Sequence, residues 1–234
     1  MSITLDEIKK KLLIKLKNSG WDKVLYDFIY SKDFDIILKT LKYESLNGNY
    51  FTPTLKDMFK AFELCPYNEL KVVIIGQDPY PKKGVADGIA FSCGHTREKQ
   101  PILQYLLEEV NRTVYDSASV STDPDLSRWC EQGILMLNVA LTTTVNKVGQ
   151  HYLLWKPFLA YLFDKLTWEN TGIVYIYMGK KAAEWKDVVN DYNYKFVITH
   201  PASAYHNNDA WDCQDVFNKT SEAVKKGFHY DIKW

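Results

Sequence analysis

Four short apolar runs stand out in the chain: residues 72–75 (VVII), 134–137 (ILML), 173–178 (IVYIYM) and 195–199 (KFVIT). Unbroken runs of β-favouring residues bounded by turn formers predict strands buried on both faces. Between and after them the spacing of apolar positions becomes helical, over residues 101–115, 126–132, 155–166, 180–190 and 211–226. Ahead of the first strand, Ser2 or Thr4 can cap a helix running to about residue 18, and residues 21–43 read as a helix in two pieces. Residues 44–53 read as loop, and Thr54 opens a short helix over LKDMFKAF. Strands alternating with helices predict an α/β fold, a central four-stranded parallel sheet flanked by helices in three α/β/α layers. No linker, repeat or low-complexity tract interrupts the pattern. One domain over residues 1–234 is expected, with residues 1–20 as a helix at its periphery.

Composition narrows the class. Of 234 residues, 46% are hydrophobic and 25% charged, which predicts a packed core rather than disorder. Twenty-nine basic residues balance 29 acidic ones, so any contact with nucleic acid must come from local patches. Cys65, Cys93, Cys130 and Cys213 are scattered, with no metal-ligand spacing, which favours reduced thiols in an intracellular protein and no zinc. No apolar run approaches the ~20 residues of a membrane span, so no membrane partner is expected. The amphipathic first residues carry Asp6 and Glu7 and lack a signal-peptide pattern.

The chemistry collects at strand ends. In KVVIIGQDPYP, Gly76 breaks the strand and the following prolines stiffen its exit, so Asp78 sits on a rigid loop. By itself an Asp–Pro turn reads more readily as a tight surface turn. Asn138 follows the second strand, however, and His200 follows the fourth. In a parallel sheet these ends share one edge, where open α/β folds place their ligands. The set holds one carboxylate, one amide and one imidazole, without a P-loop, a dinucleotide fingerprint, a nucleophile elbow or clustered carboxylates. An amide can read the imide edge of a pyrimidine, and a histidine can donate to an oxygen gaining negative charge. A carboxylate can orient water and stabilise a cationic sugar, and Phe91 in DGIAFS could stack on a base. Together they suit hydrolysis of an N-glycosidic bond without demanding it.

VVIIGQDPYP, DGIAFS, GILMLNVALT and the His200–Pro201 step resemble, in order and spacing, the motifs of family 1 uracil-DNA glycosylases. FTPTLKDMFKAF, LSRWCEQG, the stretch 151–155 and the closing DIKW extend the resemblance over roughly residues 21–234. It implies extrusion of uracil from single- or double-stranded DNA and hydrolysis of its glycosidic bond in base excision repair, without metal or other cofactor. Asp78 then positions water and stabilises the oxocarbenium-like sugar, and His200 donates to uracil O2. Gln77 and Asn138 bind uracil, Phe91 stacks on it, and Tyr80 crowds C5 against thymine. Pro101, Ser203, Ala204 and Tyr205 correspond to DNA-contacting positions. Apart from the resemblance, Lys82, Lys83 and Lys180 are local candidates for holding phosphates by charge, against the commoner reading of lysines as a solvated face. A monomer is expected, in cytoplasm or nucleus, with a protein inhibitor or a replication protein as partner.

The chain departs from the family where DNA is gripped. Pro81 follows the tyrosine where a histidine is usual, and Ala204 falls at the position of a duplex-wedging leucine, leaving Tyr205 to fill a vacated stack. Ile102 and Lys180 replace serines. Preference for single strands is therefore expected. A broader-range glycosylase, a polymerase-accessory DNA-binding subunit and a nucleotide-binding module without hydrolysis are the competing readings.

Overall fold

The apolar runs pair as a parallel sheet in a computed structural model that describes residues 4–117 and 119–234. Its strands are β1 (Phe51–Thr52), β2 (Val72–Gly76), β3 (Ile134–Asn138), β4 (Thr143–Thr144), β5 (Val174–Met178) and β6 (Tyr194–Ile198). The sheet runs in the order β3–β2–β5–β6. Every residue of β2, β3 and β5 is buried, as parallel strands covered on both faces require. The edge strand β6 is only partly covered. Helices flank the sheet, giving the α/β architecture expected from the alternation of patterns. The register sets Gly76 opposite Asn138, so the carboxyl ends of β2 and β3 finish level.

The helix Leu5–Leu16 starts at Thr4, whose side chain accepts from the Glu7 N–H while Glu7 reaches back to the Thr4 backbone. The alternative cap, Ser2, lies outside the described residues. This helix is joined to the core: Leu12 and Leu16 are buried, and Lys15 Nζ donates to Glu63 at 2.9 Å. Residues 21–46 form three helices rather than two, Trp21–Val24, Tyr26–Ile29 and Lys32–Leu46, the last running into the expected loop. Trp21, Phe28, Phe34, Phe59, Phe62 and Phe158 make an aromatic cluster of tilted and edge-on contacts.

Other boundaries move for local reasons. The helix expected from Thr54 forms only over Lys60–Leu64: residues 55–59 are turns, and the Ala61 N–H donates to Gly88 O rather than back to its own segment. The helix expected over 180–190 stops at Ala183. Beyond it, i→i+3 bonds tighten the chain and Asn190 ties to Thr167. The last helix begins at Val216, since Gln214 and Asp215 adopt left-handed conformations. Helix Tyr152–Glu169 is longer than expected at both ends. Elements with no forerunner in the pattern include β1 and β4, which pair antiparallel, and the helix Pro201–Asn207 directly after His200. Among the described residues no helix is long and apolar enough to cross a membrane.

Candidate active site

The carboxyl ends of β2, β3 and β6 open into one pocket of about 410 Å³. Gln77, Asp78, Tyr80, Phe91, Asn138 and His200 all line it, so the positions expected to meet from strand ends do meet. Gly76 makes the approach possible. A Cβ there would fall 2.6 Å from Asn138 Oδ1 and 2.9 Å from Phe91 Cζ, so only glycine lets the amide and the ring close over the strand end. Gly179, with φ +90°, plays the same part at the end of β5, where a Cβ would fall 2.8 Å from His200 Cβ.

Asp78 is gripped from behind. Its Oδ2 accepts from the Gly149 N–H at 2.7 Å and its Oδ1 from the Tyr152 hydroxyl at 3.1 Å. Burial raises its pKa, opposed by these donors, by Thr143 and by His151, so the carboxylate is more basic than one in water. The loop that supplies the donors is anchored by β4 and by the Asn146 N–H, which donates to Pro81 O at 2.9 Å.

His200 occupies the N-cap of the helix Pro201–Asn207. Its Nδ1 accepts from the Ala202 N–H at 3.1 Å. Burial pushes its pKa down to about 4, so the ring is neutral near pH 7. With Nδ1 committed as acceptor, the single ring proton sits on Nε2, which is a donor. The ring lies 5.6 Å from that of Phe91, centroid to centroid.

Phe91 takes φ +66°, an uncommon conformation for a bulky residue. Its loop is held by Asp87, fully buried, which accepts from Ile89 N–H at 3.1 Å, Ser92 Oγ at 2.7 Å and Gly94 N–H at 2.8 Å. Gly88 presses on the Asp57 backbone, and Ala90 N–H donates to Met136 O on β3. The Tyr80 hydroxyl donates to Phe91 O at 2.9 Å, which ties the two aromatic walls together. Burial keeps that phenol protonated.

The expected nucleic-acid contacts divide. Pro101 and Tyr205 lie at the pocket mouth, and Tyr205 is 48% exposed. Ser203 is exposed, but its hydroxyl donates to His200 O at 2.7 Å within its own helical turn. Ala204 is 7% exposed and packs inward, because the segment is a helix and residue 204 lies on its buried face. Lys82, Lys83 and Lys180 are exposed.

Sequence reasoning passed over Asp87, Gly149 and Tyr152. Asp87 stood in a motif noticed for its phenylalanine. Gly149 and Tyr152 reach Asp78 across more than 70 positions of chain, and no local pattern reports such a contact.

A family model described as "Uracil DNA glycosylase superfamily" matches residues 62–225. A uracil-DNA glycosylase of Borreliella burgdorferi is 30% identical over 218 residues, covering 91% of this chain and 95% of that protein. The crystal structure of mimivirus uracil-DNA glycosylase superposes with a TM-score of 0.84 at 22% identity, covering 99% of this chain and 89% of that one. A mimivirus UNG Y322L variant, solved in complex with UGI, superposes with a TM-score of 0.78 at 23% identity, covering 90% and 87%.

Proposed function

From the premise that this chain belongs to the uracil DNA glycosylase superfamily, we propose that it works in the manner of the family 1 enzymes, with Asp78 and His200 at the reaction centre. The chain is a monofunctional uracil-DNA glycosylase. It hydrolyses the bond between uracil and deoxyribose and leaves an abasic site in DNA.

In this reading uracil is turned out of the strand into the pocket, at a cost of a few kcal/mol in a duplex and less in single strands. Phe91 stacks on the base. The Asn138 amide donates to O4 and accepts from N3–H, a pairing that cytosine, with an amino group at C4, would spoil. Tyr80, tethered to Phe91 O, stands where a C5 methyl would go. Such a clash is needed, since an apolar pocket separates ligands differing by one methylene by only ~1–3 kcal/mol.

As the C1′–N1 bond breaks, its electron pair moves onto the base and negative charge grows on O2. The Nε2–H of neutral His200 stabilises that charge. Positive charge grows on the sugar, and the Asp78 carboxylate stabilises it and orients a water for attack on C1′. The water's proton passes to Asp78. Lys82, Lys83 and Lys180 would contact phosphates. UGI, bound to a mimivirus homologue, is a candidate partner.

What carries the reading is the meeting of a carboxylate, an amide and a neutral imidazole around one phenylalanine-walled pocket. The test is release of free uracil from a dU-containing oligonucleotide in the presence of chelator. Asp78→Asn should slow single-turnover excision by roughly 10²–10⁴-fold with little loss of binding. Unchanged turnover in that variant would remove Asp78 from the mechanism.

A further inference from the structure

We infer that Tyr152 is a positioning residue for Asp78, its phenol and the Gly149 N–H forming a two-point clamp that orients the carboxylate toward the pocket. The inference rests on the role given to Asp78 above.

The two donors take different oxygens, Gly149 N–H on Oδ2 and Tyr152 Oη on Oδ1, so the carboxylate cannot rotate without losing one of them. Asp78 lines the pocket, whereas Gly149 and Tyr152 stand behind it. The clamp is a built feature. Gly149 has φ +74°, and a Cβ there would fall 3.0 Å from Tyr152 Cε2, so glycine is what lets the ring lie over the turn. Between the donors, His151 is buried, with Nδ1 2.8 Å from Thr142 Oγ1 and Nε2 3.0 Å from Glu44 Oε2. Thr142 Oγ1 in turn accepts from Trp155 Nε1 at 2.8 Å, which fastens the turn to the core.

Burial and the nearby Asp78 charge raise the pKa of Tyr152, so its hydroxyl keeps its proton and acts on the carboxylate only as a donor. The other titratable groups around the pair are few. His151, paired with Glu44, acts on the Asp78 charge, and His200 lines the same pocket. Lys181 Nζ lies 5.8 Å from the Tyr152 ring centre, and Glu184 also faces that tyrosine. A donor on the charged form of a carboxylate favours that form, so the phenol also helps keep Asp78 ionised.

Tyr152→Phe keeps the ring over Gly149 and removes only the donor. Single-turnover excision from a single-stranded dU oligonucleotide should fall about tenfold, with substrate binding nearly unchanged. In ligand-free protein, the titration of the Asp78 carboxyl, followed by ¹³C NMR, should move up by roughly 0.5–1 pH unit. Added to Asp78→Asn, the same substitution should cost almost nothing more, because the group it serves is gone. A wild-type rate in Tyr152→Phe beside an inactive Asp78→Asn would overturn the clamp and leave the glycosylase reading standing. A slower Tyr152→Phe with an unmoved carboxyl titration, or with an equal further loss on the Asp78→Asn background, would also overturn it. A fully active Asp78→Asn would remove the premise itself.

Discussion

One backbone contact decides where the His200 proton sits. The Ala202 N–H claims Nδ1, burial keeps the ring neutral, and Nε2 is left as the donor. The type of residue and its place after a strand were legible in the sequence. Its tautomer was not, because it depends on the chain turning into a helix at Pro201. The same burial has a consequence for stability. In the unfolded chain this imidazole protonates near 6.5, but in the fold only near 4. The unfolded state therefore binds the proton first as pH falls. Stability contributed by the neutral ring is complete above pH 6.5 and drains away between pH 6.5 and 4, by up to roughly 3 kcal/mol. Urea melts at pH 7 and pH 4.5 should show this loss in the wild type. The loss should be smaller in His200→Asn, which keeps an N-cap acceptor without the titration. Equal losses in both would mean that other groups carry the acid sensitivity.

At the scale of elements, the pocket depends on irregular segments more than on the strands that point to it. The loop carrying Phe91 has no regular backbone ladder, and Asp87 substitutes for one by accepting three hydrogen bonds from its own loop. Lys60 Nζ, 3.8 Å from Oδ2, is its charge partner. Asp87→Asn replaces an acceptor oxygen with a donor and leaves at least one of those N–H or O–H groups unmatched in the interior. We expect a loss of about 1–3 kcal/mol in thermal unfolding. We also expect weaker binding of free uracil, because the Phe91 wall is no longer held at its uncommon φ. Wild-type uracil affinity in a destabilised Asp87→Asn would separate the loop's stability from the pocket's shape. The four strands of the parallel sheet were legible, three of them because a strand buried on both faces must be apolar throughout, while the two-residue strands β1 and β4 were too short to leave a pattern. Several helices were expected too long, among them the one over 126–132, which spans only Ser127–Cys130, because i→i+3 tightening, left-handed residues and a side-chain tie such as Asn190 to Thr167 do not disturb apolar spacing.

For the whole molecule, the pocket opens at one edge of the sheet and the formal charge sums to zero, so binding rests on local contacts at that edge. Tyr205 is half-exposed at the mouth, next to buried Ala204, and on the proposed reading it would fill a vacated base stack. Tyr205→Ala should slow excision from duplex DNA severalfold more than from single strands, measured on matched oligonucleotides. Equal losses on both substrates would assign Tyr205 to general gripping. Sequence by itself determined the fold class and the polar side chains that meet at the pocket, because buried strands and strand-end polar residues are written locally and parallel pairing brings strand ends to one side. Only the tertiary structure decided how those groups are tuned. The Gly149 and Tyr152 donors on Asp78, the proton on His200 Nε2, and the glycine clearances at residues 76 and 179 are all set by atoms brought together from far apart in the chain. Hydrogen bonding and desolvation act through space, and a linear pattern holds no measure of that distance.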